Sequence, residues 1–297
     1  MVGTGTLRID RSTAPLLVLG GVVSVQFGGA LAATLVPRIG AVGSVLLRLS
    51  FAMVILCAVV RPRLRGRSRR AWVTVVLFGL ALAAMNTAFY SSLAYLPIGV
   101  AVTVEFLGPL TLAAVLSRRP RDVAAVLAAG LGVALVSGAT GASWGRFEPI
   151  GLFWAAAAGA MWAAYIVLSQ RTGTLFTGLD GLALALVVST AVVTPFGLSS
   201  VERWTPEIVG LGLGIAVLST VLPYSLELMA LRHLSQSVFG ILLSLEPAVA
   251  ALAGLVVLDQ VLDRGQVLGL FLVVIASALV LSAKTKPDPP DTVVGSG

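Results

Sequence analysis

The sequence predicts an all-α polytopic membrane protein with ten transmembrane helices, arranged as two inverted five-helix repeats. Three observations predict it. First, 58% of the 297 residues are hydrophobic, only 11% are charged, and the mean hydropathy is +1.01. An ordinary soluble domain carries about 25% charge to cover its surface, so a soluble globular enzyme and a disordered chain are both excluded. Second, apolar stretches long enough to cross a bilayer recur ten times. Third, two of those stretches, five helices apart, align with each other.

In order, the spans run over 15–36, 41–60, 71–92, 97–117, 122–139, 150–169, 181–198, 207–230, 235–258 and 265–283. Each takes about 20 residues, so ten use roughly 200 and leave only short loops and two tails. Breaks such as Pro37-Arg38, Arg61-Pro62 and Arg118-Arg119-Pro120-Arg121 separate them. In the first span, Ala30-Leu31-Ala32 mimics a signal-peptide cleavage site. The apolar run from Pro15 to Val36 is long for such a signal, and its removal would break the five-plus-five pattern, so the span is read as retained. The expected division is 1–14 as an N-terminal tail, 15–139 as the first repeat, 150–283 as the second, and 284–297 as a disordered tail.

Lys and Arg orient the spans. With the N-terminus in the cytoplasm, 15 of them fall inside: Arg8, Arg11, the six arginines from Arg61 to Arg70, Arg118, Arg119, Arg121, Arg171, Arg232, Lys284 and Lys286. Four fall outside: Arg38, Arg146, Arg203 and Arg264. Both termini are therefore expected in the cytoplasm. The net charge of +7 reflects this asymmetry and not a nucleic-acid partner, since no base-stacking aromatics accompany the arginine clusters. The lone Cys57 can form no internal disulfide, and His233 has no partners at metal-ligand spacing.

Residues 95–116 and 233–254 align at a shift of 138, matching Leu96 with Leu234, Leu107 with Leu245 and Pro109 with Pro247. Span four thus pairs with span nine. Five is odd, so the second copy is expected inverted in the membrane. Pro109 and Pro247 each remove a backbone hydrogen bond and are expected to kink their helices. Such breaks are tolerated at membrane depth where the backbone faces a cavity or other helices.

Ionisable groups at bilayer depth are costly and mark functional candidates. They are Arg48, Glu105, Glu227 and Glu246. Glu105 and Glu246 lie mid-span, and Glu246 aligns with Gly108, one helical turn from Glu105. The two carboxyl groups are therefore expected to face one cavity as proton-coupling candidates, or to meet a substrate ammonium. The bland alternative pairs them with Arg48 for packing. Arg48 must find a carboxylate or carbonyls, or hold a substrate carboxylate. Glu227, beside Arg232 and His233, reads as part of an interfacial ion pair. Asn86, Tyr90, Trp162, Tyr165, Ser219, Tyr224 and Ser244 are mid-span polar groups. Each suits helix-to-helix hydrogen bonding, and together they suit a pocket for a small polar solute. Gly210-x-x-x-Gly214 and Gly265-x-x-x-Gly269 permit close helix approach, expected to serve internal packing. The sequence assigns no oligomeric state.

The only lysines are Lys284 and Lys286, so no Walker A loop exists, and no HExxH, CxxC or GxSxG string occurs. No cofactor, metal or enzymatic activity is expected. Any energy source must be an ion or solute gradient.

Several strings carry a family resemblance. They include Ala84-Met85-Asn86 with Tyr90, Glu105-Phe106-Leu107-Gly108-Pro109-Leu110, Ser117-Arg118-Arg119-Pro120 and Trp162-Ala163-Ala164-Tyr165-Ile166. Leu222-Pro223-Tyr224-Ser225-Leu226-Glu227 and Glu246-Pro247-Ala248 extend them through span nine. The chain resembles the EamA family of the drug/metabolite transporter superfamily, specifically its bacterial threonine/homoserine exporters. It departs mildly at Leu258-Asp259, where the family has Gly-Glu. The resemblance implies ten helices in two EamA repeats, alternating access, and export of small amino acids across the bacterial inner membrane, with proton antiport as the expected coupling. The solute would sit between spans 3, 4, 6, 8 and 9. Another metabolite or a drug is the alternative cargo; a membrane-embedded enzyme and a non-transporting scaffold are the remaining alternatives.

Overall fold

A computed structural model describes residues 13–117, 120–136, 148–223, 226, 230 and 242–282. Among them every regular element is helical. The helices are α1 (Ala14–Ile39), α2 (Ala41–Val60), α3 (Arg69–Ser92), α4 (Ile98–Glu105), α5 (Leu107–Ser117), α6 (Pro120–Val136), α7 (Pro149–Leu175), α8 (Asp180–Gly197), α9 (Pro206–Ala216), α10 (Glu246–Leu258) and α11 (Arg264–Ser282). A 3-10 segment covers Leu198–Arg203, and a π-helical turn covers Val217–Val221. Six stretches are long and apolar enough to cross a membrane: 14–39, 41–60, 69–92, 98–116, 149–175 and 180–203. Four shorter apolar helices lie at 123–135, 206–221, 246–258 and 264–279.

The ends of these helices follow local chemistry. Pro15, Pro149 and Pro206 stand in the first turns of α1, α7 and α9, where a missing N–H costs nothing. The Ser68 hydroxyl accepts from the Ala71 N–H at 3.2 Å and caps α3. Thr205 does the same for Ile208 at 3.3 Å. Gly40, at φ 79°, is the single residue between α1 and α2, a conformation that glycine adopts without penalty. The backbone N–H of Ile98, at the start of α4, is capped from far along the chain by the Gln260 side-chain oxygen at 3.0 Å.

The expected kinks take different forms. Span four breaks at Phe106, between α4 and α5. Pro109 has no N–H to offer the Glu105 carbonyl four residues before it, so the ladder opens there. Pro247 does not kink a continuous helix: a turn at Ser244–Leu245 precedes it, and it sits in the first turn of α10. Phe106 and Ser244 are themselves separated by 138 residues, the shift of the sequence repeat.

Helix packing centres on α3 against α7 and α8, α2 against α8, α1 and α4 against α10, and α6 against α11. Leu35, Leu47, Leu186 and Ile215 are at most 1% exposed and fill the junction of α1, α2, α8 and α9. Glycines set the closest approaches. A side chain on Gly79 of α3 would meet Val188 and Ala185 of α8, and one on Gly212 of α9 would strike Leu47 of α2. The Gly210-x-x-x-Gly214 motif does not serve this purpose: added Cβ atoms on either glycine would meet nothing within 4 Å. At 3.6 residues per turn, Gly212 points away from both, and it is the residue that packs. Gly269 does meet a neighbour, since its carbonyl oxygen lies 2.6 Å from where a Gly132 Cβ would stand.

One buried ion pair ties the α2–α3 connection to the start of α8. Arg67 meets Asp180 at 2.8 Å, with side chains 16% and 11% exposed, and its guanidinium lies 4.7 Å from the centre of the Phe176 ring. Asp180 also occupies the first turn of α8, where the helix dipole favours an anion. Asp180→Asn leaves the Arg67 charge half-shielded and uncompensated, and is expected to cost about 2 kcal/mol. Thermal unfolding in detergent checks this, and the exchanged pair Arg67→Asp with Asp180→Arg is expected to recover part of the loss.

Candidate functional site

The polar groups at membrane depth form two adjoining clusters. The first surrounds Arg48 in the middle of α2. Its Nη1 donates to the Asn86 side-chain oxygen at 2.6 Å and, weakly, to the Tyr90 hydroxyl at 3.4 Å. Its Nη2 donates to the Ser219 carbonyl at 3.1 Å and the Thr220 hydroxyl at 3.3 Å. The guanidinium also lies 5.7 Å from the centre of the Tyr90 ring. Asn86 and Tyr90, one turn apart on α3, thus share a face as expected and converge on one cation. Asn86 is fixed at both ends, since its amide nitrogen donates to the Leu82 carbonyl at 2.8 Å.

The acceptors on the far side exist because of backbone chemistry. Pro223 has no N–H, so the Ser219 carbonyl four residues earlier loses its helical donor. The wider π-helical turn over Val217–Val221 turns such carbonyls outward. Arg48 takes that of Ser219, and the Ser24 hydroxyl of α1 donates to that of Leu218 at 2.6 Å. The Ser219 hydroxyl itself is packed against Gly28 of α1. Sequence reasoning singled out Ser219 but gave Thr220 and Ser24 no role, and quoted Pro223 only within a family string. The signal was present: a proline four residues after a polar residue in an apolar span predicts a freed carbonyl.

The second cluster lies at the α4–α5 break. Glu105, the last residue of α4, is 9% exposed, and its side chain makes no hydrogen bond or ion pair with another described residue. Its carboxyl group makes no ion pair with Arg48. The bland expectation of a Glu105–Arg48 packing pair is therefore not met, and Arg48 is held by neutral oxygens instead. Beside Glu105, Phe106 meets the Trp162 ring edge-on at 5.6 Å. Tyr165, nearly one turn further along α7, packs on Phe78 of α3 at 5.2 Å. Residues 161–169 of α7 are half-buried around the whole circumference.

α7 is pressed onto the break. A Cβ on Gly108 would fall on the carbonyl group of Gly159, and one on Gly159 would lie 2.5 Å from the Glu105 carbonyl oxygen. The carbonyl that Pro109 frees is thus covered by glycine backbone.

Ser244 and Glu246 are buried at the turn that opens α10, where the positive helix end favours a carboxylate. Tyr224 and Glu227 lie outside the described residues. Among the described residues no three His, Cys, Asp or Glu side chains gather as a metal site.

Apolar helices, a broken span and two separate ionisable groups at membrane depth mark a polytopic membrane protein of transporter type. The EamA-like transporter family matches residues 149–282. The chain is 38% identical over 264 residues to the threonine/homoserine exporter RhtA of Salmonella typhimurium strain LT2, covering 88% of this chain and 89% of that protein. It is 37% identical over 276 residues to the protein of the same name from Escherichia coli K12, covering 92% and 93%. A solved crystal structure at 19% identity superposes with a TM-score of 0.62, over 93% of this chain and all of the other, and shows the fold alone. The chain belongs to the EamA-like transporter family.

Proposed function

We propose that the protein exports threonine, homoserine or a similar small amino acid across the bacterial inner membrane by proton antiport. The observation that carries this reading is Glu105: a carboxyl group at a helix break, 9% exposed and unpaired among described residues, in a chain whose relatives are named amino-acid exporters. Glu105 binds the proton or the substrate ammonium. Asn86, Tyr90, Trp162, Tyr165 and Ser244 shape the pocket, Ser219 contributes its carbonyl, and Glu246 is the second proton-coupling candidate. Bacterial cells preloaded with labelled homoserine are expected to release it faster when the protein is expressed; an unchanged rate contradicts the assignment.

Alternating access follows from ten spans in two inverted repeats, with α4–α5 as one span and α9 with its π-helical turn opening another. The packing supports this symmetry. If each span corresponds to the one five places later, every principal contact has a counterpart. α3 packs on α8 as α9 packs on α2; α1 packs on α10 as α7 packs on α4 and α5; α3 packs on α7 as α9 and its π turn pack on α1. The contacts α2–α8, α4–α10 and α6–α11 map onto themselves. Gly79 and Gly212 occupy corresponding interfaces. Both termini lie in the cytoplasm, which places Leu64 inside and Glu202 outside. In a chain whose native Cys57 is replaced by alanine, a cysteine at Glu202 is expected to react with an impermeant maleimide in intact cells. One at Leu64 is expected to react only after permeabilisation.

A further inference from the structure

We infer that Arg48 is the carboxylate-binding group of the solute site, so that the transporter selects solutes carrying a carboxylate. This rests on the exporter reading above and adds what the site recognises. Arg48 sits at the centre of α2, where a cation is costly unless compensated. Every acceptor it has among the described residues is neutral: the Asn86 amide oxygen, the Tyr90 and Thr220 hydroxyls and the Ser219 carbonyl. Two of these contacts are long, at 3.4 and 3.3 Å, and the Nε–H is buried with no acceptor among described residues. Among described residues the ion pairs are Arg38–Glu207 and Arg67–Asp180, so no described carboxylate neutralises Arg48 at contact distance.

The guanidinium is thus oriented, and no described carboxylate discharges it. Asn86 and the freed Ser219 carbonyl hold it from two helices, leaving the Tyr90 and Thr220 contacts as those an incoming anion can replace. A carboxylate fits the planar fork of donors, and the bidentate bond is charge-assisted. Glu105 closes α4, which touches α3, the helix that supplies Asn86 and Tyr90, and its carboxyl group makes no ion pair with a described residue. A cation whose described acceptors are neutral, with a carboxyl group unpaired among described residues on a helix that touches α3, is complementary to a zwitterion: carboxylate to Arg48, ammonium to Glu105.

The test uses the purified full-length protein in liposomes, following counterflow of labelled threonine against unlabelled threonine, threoninamide, which lacks the carboxylate, and N-acetylthreonine, which lacks the ammonium. Threoninamide is expected to compete roughly 10- to 100-fold more weakly than threonine, the range of a charge-assisted hydrogen bond. In Arg48→Gln, threonine is expected to fall to the level of threoninamide, while threoninamide itself is unchanged. N-acetylthreonine is expected to retain sensitivity to Arg48→Gln. Arg48→Lys, which keeps the charge and loses the fork, is expected to preserve the preference for a carboxylate at reduced affinity, and it reads the same selectivity if the glutamine variant does not fold. Equal competition by threonine and threoninamide in the unmodified protein, or equal weakening of both by Arg48→Gln, overturns the assignment. If the unmodified protein carries no amino acid, the exporter reading fails and this inference with it. Threonine carried without regard to its carboxylate defeats the role of Arg48 alone.

Discussion

Glu105→Gln is expected to abolish acceleration of threonine efflux by an imposed pH gradient, bringing the rate to that seen at equal pH. The substitution keeps the shape of the side chain and removes its ability to ionise. The Glu105 side chain makes no hydrogen bond or ion pair with a described residue, so the fold loses no such contact. Exchange of labelled for unlabelled threonine at equal pH and saturating threonine is expected to persist with weaker apparent affinity, because the rocking of the two halves needs no net proton movement while the ammonium loses its charged partner. This split between driven flux and exchange separates a coupling residue from a structural one. A variant that still responds to the gradient removes Glu105 from the proton path and leaves Glu246 as the candidate. If Glu105 serves only packing, both activities fall together with thermal stability.

Gly108→Val is expected to destabilise the protein by about 3 kcal/mol or more, the upper range for forcing volume into a packed site. The added Cβ has no room, since it lands on the carbonyl group of Gly159, which is backbone and cannot rotate away. Relief requires α5 and α7 to separate at the one place where the helix is already broken. The Phe106–Trp162 contact and the cover over the Glu105 carbonyl are lost with them. Gly210→Ala and Gly214→Ala are the matched controls, because nothing lies within 4 Å of the added atom. They are expected to change stability by less than about 1 kcal/mol, toward higher stability, as glycine in a helix interior costs that much relative to alanine. Thermal unfolding of the three variants in one detergent compares them directly. A Gly108→Val protein as stable as the controls contradicts the close approach.

Much of this was legible in the sequence because bilayer physics writes it there. Spanning helices need long apolar runs and loops carry the arginines, so the limits read at 41–60 and 71–92 fall within two residues of α2 and α3. Asn86 and Tyr90 share a face by periodicity alone. Pro109 announced the break in span four, although the break falls at Phe106, because the proline disturbs the carbonyl four residues before it. What the sequence did not reveal depends on contacts between helices distant along the chain. The GxxxG spacing pointed to Gly210 and Gly214, but spacing cannot say which side of a helix meets a neighbour, and Gly212 is the residue that does. Arg48 was expected to take carboxylates or carbonyls, and only the placement of α3 and the π turn around it decided for neutral oxygens. The Ser219 hydroxyl was read as a ligand group; the structure packs it on Gly28 and turns its carbonyl to Arg48.

The most direct test of the central claim is efflux of labelled threonine from liposomes containing the purified protein, with the outside medium made acidic relative to the lumen. Antiport predicts faster release than at equal pH, collapse of that acceleration by a protonophore, and its absence with Glu105→Gln. Release from the unmodified protein that is the same with and without the gradient contradicts proton-driven export.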